Sequence, residues 1–212
     1  MPIRTYIFKV DLLESRDPQI SRTFSIPASW TFQKLHAAIQ HVFLWQNEHL
    51  HVFTFQIPIG GGINKVGPND IVLDEKTVKL KDIWDDSGRY RGDVTNNGTL
   101  GGCFYEYDFG DAWEHEITLL AVGTSYVKEV SVLEVSGCAP LENSHGVLGW
   151  EGLKRAFADP HPDDLSLEAR RLSWLVSPLG GAFHPAVAPT IEQLNAPGLF
   201  DKRFRQIRKG IL

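Results

Sequence analysis

The chain has 212 residues, 42% of them hydrophobic and 22% charged, a size and balance that fit one globular domain and exclude wholesale disorder. A formal charge of −5 argues against a surface built to hold phosphate backbones, so no nucleic-acid partner is expected. Two cysteines without a CxxC pair exclude a disulfide framework, and the absence of any 18-residue apolar run or apolar leader predicts a cytoplasmic protein with no membrane partner.

Residues 5–12 alternate, with Tyr6, Phe8, Val10 and Leu12 on one face, which predicts a half-buried strand. A turn at Ser15–Pro18 leads to a second strand over residues 20–26, with Phe24 and Ile26 inward, and Pro27 ends the hairpin. Thr31 is placed to cap a helix in which Phe32, Leu35, His36, Ile39, Val42 and Phe43 fall on one face, closed by Trp45. A third strand then carries His49, His51, Phe53 and Phe55 on one side. From Gly60 to Gly102 the chain is rich in Gly, Asn and Asp, and reads as loops around a short strand at residues 77–80. The Gly60-Gly61-Gly62 run has no following Lys-Ser/Thr, so it reads as a hairpin tip rather than a phosphate loop.

Strands at residues 103–109 and 113–120 flank a break at Gly110-Asp111, and a further strand covers residues 126–134. The last third turns helical: Trp150, Leu153 and Phe157 mark one helix ended by Asp159-Pro160, and Leu165, Ala169, Leu172 and Val176 mark another. Thr190-Ile-Glu-Gln193 has the pattern of a capping box. The expectation is a single α+β domain over 1–212: strand-rich at 1–136, helical at 147–196, with a solvated basic tail at 197–212 carrying Lys202, Arg203, Arg205, Arg208 and Lys209. Its sheet should be mixed and mostly antiparallel, with one packed N-terminal helix.

The stretch from Tyr105 to His115 concentrates four aromatics, two Asp, two Glu and a His. Trp113 and His115 fall on the apolar face of their strand, where Asp108 or Asp111 could orient the imidazole as an acid or base. Equally, such a histidine can be structural, with the Asp capping the turn. His49 and His51 have the spacing to chelate zinc or iron if His36 or His115 supplied a third ligand, though a polar patch at a strand start explains them as well. Cys138 with His145 nearby suggests a nucleophile pair without any local signature to support it, and Glu142 in the same loop is a reasonable acid or base.

Taken together, Leu35-His36, Trp45 with His49-Leu50-His51, Tyr105-x-Tyr-Asp-Phe-Gly-Asp-x-Trp-x-His-x-Ile117, Cys138-x-Pro, Gly146 with Gly149-Trp150, and Asp159-Pro-His161 resemble the plasmid pRiA4b ORF-3-like proteins. The resemblance implies an α+β fold and flags His36, Trp45, His49, Asp108, Asp111, Trp113, His115, Cys138 and Glu142. It departs after the cysteine, where a Pro-Pro-Glu-Asp-x-Gly-Gly run becomes Ala-Pro-Leu-Glu-Asn-Ser-His-Gly, and after His115, where an acid is replaced by Leu119-Leu120. Fewer carboxylates point to a cleft for an apolar ligand. The expected function is a cofactor-independent acid/base enzyme of lyase, isomerase or cyclase type acting on a small, largely apolar molecule. His115, His36, Asp108, Asp111 and Glu142 would be catalytic, and Trp45, His49, Tyr107, Trp113 and Trp150 would bind substrate. The alternatives are a non-catalytic peptide- or protein-binding module using a sheet edge or the same cleft, and a metal-dependent hydrolase at His49 and His51.

Overall fold

A computed structural model describes residues 1–55, 64–68, 73–91, 95–96, 99–100, 102–126, 128–158 and 179–210. The frame is an eight-stranded, mostly antiparallel sheet with helices, an α+β fold. In chain order its strands are β1 (Ile3–Leu12), β2 (Ser21–Pro27), β3 (His51–Phe55), β4 (Asn64–Gly67), β5 (Leu73–Asp74), β8 (Cys103–Tyr107), β9 (Trp113–Ser125) and β10 (Ser131–Ser136); β6 (Thr95–Asn96) and β7 (Thr99–Leu100) form a separate ribbon. The sheet order is β10-β2-β1-β9-β8-β3-β4-β5, with one parallel pairing, β4 to β5. The helices are α1 (Phe32–Phe43), α2 (Lys81–Trp84), α3 (Gly146–Ala158), α4 (Ile191–Leu194) and α5 (Leu199–Gly210).

Alternation decides the sheet's inner face. Tyr6, Phe8, Val10 and Leu12 of β1, Phe24 and Ile26 of β2, and Trp113, His115 and Ile117 of β9 all point inward and are buried. They pack on α1, which is buried on nearly every side because the sheet lies beneath it and α5 lies against it. Polar residues on its outer side therefore need partners: His41 Nε2 bonds Leu194 O at 2.9 Å, and Arg203 Nη2 donates to Gln40 O.

Several local expectations change. Thr31 occupies the N-cap of α1 without a side-chain bond, because the 75–78 turn supplies the acceptors: Phe32 N donates to Val78 O and Gln33 N to Glu75 O. Residues 77–80 are accordingly a turn with one bridge, Thr31 to Lys79, and not a strand. β9 runs on to Ser125 through its pairing with β1, so β10 starts only at Ser131. The 197–212 tail contains α5, docked through Phe200 stacked on Trp30 and a buried Ile207. The capping box forms as expected, with Thr190 and Gln193 bonding each other's backbone. The Gly60–62 tip and the helix expected at 165–176 lie outside the described residues.

Candidate functional site

Three loops meet at one end of α1: residues 44–50 after the helix, 108–112 between β8 and β9, and 137–145 before α3. They are joined by Gln46 N donating to Glu142 Oε2 (2.8 Å), Asp108 N to Leu50 O (2.9 Å) and His145 N to Asp111 Oδ2 (3.0 Å). The approach is close enough to require glycine. A Cβ at Gly146 would stand 2.7 Å from Asp111 O, and one at Gly149 1.9 Å from Ser144 O. Eight non-glycine residues have positive φ among those described, and six of them, Leu44, Asn47, Asp108, Ala112, Asn143 and His145, lie in these loops. Such backbone costs on the order of 1–3 kcal/mol per residue and collects where surrounding structure over-determines it, as at functional sites. In the β8–β9 turn the left-handed residues are Asp108 and Ala112 rather than Gly110. Asp108 Oδ1 accepts from Gly110 N and Asp111 N, so this carboxylate holds the turn.

On the solvent side, the first and third loops wall a cleft of about 260 Å³, with residues 179–193 opposite. Phe43, Trp45, Leu141, Phe183 and Val187 make it largely apolar, and Glu48 and Glu142 are its carboxylates. Trp45 Nε1 donates to Pro140 O at 2.8 Å, and its ring stacks on Tyr107 with centroids 5.0 Å apart. The Tyr107 hydroxyl donates to Glu142 Oε1 and accepts from Glu48 N at 2.9 Å. Burial beside that carboxylate pushes the phenol far up, so it stays a donor. Glu142 is thus oriented by two donors, each of its oxygens keeping a second lone pair.

Behind this wall lies a sealed polar layer. Asn47 Nδ2 donates to Ile207 O, so its Oδ1 must accept from His36 Nε2 at 2.8 Å. Neutral His36 then presents Nδ1 as acceptor, and Tyr105 O–H fills it at 2.9 Å while accepting from Gln40 Nε2. Burial drives His36 well below the ordinary imidazole range, which keeps it neutral. His51 stacks on His36 at 3.5 Å with rings 4° from parallel, and its Nε2 meets Glu75 Oε2 at 2.7 Å. Burial pushes the Glu75 carboxyl up and His51 down, both towards the uncharged form. His115 is fully enclosed, its Nδ1 on Tyr105 O at 3.2 Å and Phe43 and Trp45 edge-on to its ring. Burial lowers it to about 4.

The residues expected in one pocket therefore divide. Glu142 and Trp45 line the cleft, and Tyr107 is buried behind them with its hydroxyl on Glu142. His36 and His115 are sealed behind it, as are Trp113 against Trp45 and Trp150 against Phe183. Asp108 and Asp111 brace the turn. His49 precedes β3 and sits 3.4 Å from Asp108 Oδ2, whereas His51 turns inward to Glu75, so the two imidazoles do not converge. Among the described residues no group of three His, Cys, Asp or Glu side chains is arranged to hold a metal. Cys138 lines the cleft, but burial raises its thiol to about 11, against the pull of nearby Arg22.

Sequence reasoning missed Glu75, Asn47, Gln40 and Arg203. Glu75 lies among loop acids with no periodicity to mark it. Gln40 could have been noticed as a polar residue inside an apolar helix. Arg203 Nη2 donates to Trp45 O at 2.5 Å and to Gln40 O at 3.3 Å, a role invisible in a basic run.

Among proteins similar to this chain, the uncharacterised protein y4hQ of Sinorhizobium fredii (strain NBRC 101917 / NGR234) is 29% identical over 187 residues, 86% of this chain and 85% of that protein. The crystal structure of MM3350, a protein of unknown function from Methanosarcina mazei Go1, superimposes with a TM-score of 0.66 at 28% identity, covering 88% of this chain and 95% of that one. No helix among the described residues is long and apolar enough to cross a membrane. The family model for plasmid pRiA4b ORF-3-like protein matches residues 4–188, and the chain belongs to that family.

Proposed function

We propose that this chain binds a small, largely apolar organic molecule in the Trp45–Glu142 cleft and acts on it by proton transfer through Glu142. That is acid/base chemistry of lyase, isomerase or cyclase type, carried out in the cytoplasm. The observation that carries this reading is the placement of Glu142: of the residues expected to be catalytic, it alone lines the cleft, oriented by Tyr107 and Gln46 within a ring of left-handed backbone. Each Glu142 oxygen keeps a lone pair with which to take a proton from a molecule seated against the apolar wall. His36 and His115 support the wall and take no part in this scheme.

The test uses 5-nitrobenzisoxazole, an apolar probe whose ring opens when a base removes its C3 proton and the N–O bond breaks. Turnover by the wild type that Glu142→Gln removes supports the scheme. A rate no greater than that of free acetate at equal concentration overturns the catalytic part. A second reading, a non-catalytic binding module, is favoured by the number of expected catalytic residues spent on structure. It predicts saturable binding of the neutral dye Nile red, blocked by Ala182→Trp, with no turnover of the probe. Its sheet-edge form is disfavoured at β10, where the Asn195 amide already pairs with both Val132 N (2.8 Å) and Val132 O (2.9 Å).

A further inference from the structure

On the other side of the Trp45–Gln46 turn from the cleft, α5 and the turn enclose a second hollow of about 440 Å³. Trp45, Gln46, Leu199, Lys202, Arg203, Gln206 and Ile207 line it. Two features set it apart. Both charged residues in the lining are cations, and among the described residues neither Lys202 nor Arg203 makes an ion pair. Arg203 is also only partly satisfied: Nη2 serves Trp45 O and Gln40 O, while Nε is buried without a hydrogen-bond partner. Burial lowers the affinity of this guanidinium for its proton, and the Glu142 charge beyond the turn only partly offsets that.

An orphaned guanidinium N–H beside a free ammonium, with two exposed side-chain amides on the rim, is a donor set without an acceptor. A cationic donor lining such a space gains more from an anionic oxygen than from a neutral one. The first turn of α5 adds the favourable end of a twelve-residue helix dipole on the same side. From these observations we infer that the hollow between α5 and the Trp45–Gln46 turn is a subsite for a small anionic group, a carboxylate or a phosphate. The Arg203 guanidinium and the Lys202 ammonium would be its principal donors, and Gln46 and Gln206 would flank it. The inference does not depend on turnover in the cleft, although Trp45 and Gln46 line both spaces, so an apolar molecule with an acidic end could engage the two together.

Inorganic phosphate and acetate, titrated separately by calorimetry at low ionic strength, test the assignment. Saturable binding of either ion supports it, and their ratio tells phosphate from carboxylate preference. Lys202→Gln should weaken binding about tenfold, the loss expected for one charge-assisted bond. Gln206→Glu, at an exposed position away from the Arg203 hydrogen bonds, should abolish it while leaving the unfolding midpoint near that of the wild type. No saturable binding of either ion by the wild type, or binding that Lys202→Gln and Gln206→Glu leave unchanged, overturns the proposal. Because neither ion carries an apolar body, the outcome is separate from the Nile red and 5-nitrobenzisoxazole results.

Discussion

Tyr105 and Tyr107 stand two positions apart on β8, on the same face, with rings 4° from parallel and centroids 6.5 Å apart. Both rings are fully buried, yet their hydroxyls serve different regions. Tyr105 reaches α1, joining His36 and Gln40 in a layer closed to solvent. Tyr107 reaches loops, joining Glu142 and Glu48 N at the edge of the cleft. The difference teaches that polarity here does two jobs. Against a helix it is locked within a closed layer, while against loops it orients a carboxylate that lines a cleft.

The largest expected effect belongs to the sealed side and appears in acid. His41 and His115 have folded values of about 4 against an ordinary 6.5. The unfolded chain therefore takes up protons first, and their contribution, complete above pH 6.5, drains away as pH falls from 6.5 towards 4. Each histidine contributes a slope of about 1.4 kcal/mol per pH unit in that window. Urea unfolding at a series of pH values should show it, and His115→Leu should flatten the slope. A slope unchanged in that variant would remove His115 from the account.

Next in size is Tyr105→Phe, which strands His36 Nδ1 and Gln40 Nε2 away from water and should cost about 2–4 kcal/mol. Tyr107→Phe frees groups that water can reach, so about 1 kcal/mol or less is expected. Equal shifts in the chemical-denaturation midpoint for the two variants would erase the contrast between the regions. Smallest in stability is Glu142→Gln, within about 1 kcal/mol of wild type, because an amide oxygen can still accept from Tyr107 or Gln46. Thermal unfolding reads this directly, and a large loss there would make Glu142 a structural residue.

The candidate site was legible in its members and much less so in its arrangement. Period-two and period-3.6 patterns place His115 inward on β9 and His36 inward on α1, and both are there. The same patterns carry no information on whether an inward face opens on a cavity or meets a helix. His49 and His51 share a strand face on paper, but β3 begins only at His51, which frees His49 to meet Asp108. The capping box at Thr190 formed because all its parts lie within four residues. The cap expected from Thr31 did not, because a loop more than forty positions away supplies the acceptors.

By itself, then, the sequence determined the α+β class, the inner faces of β1, β2, α1 and β9, the family, and the capping box at Thr190. These follow from local geometry, in which side-chain direction repeats with the backbone. Only the tertiary structure decided that His36 and His115 are sealed, that Glu142 opens on the cleft, and that the basic end becomes a docked helix with Arg203 beneath Trp45. Those outcomes depend on partners far apart in the chain, and burial and hydrogen-bond satisfaction are set by what packs on a face rather than by the residues that form it.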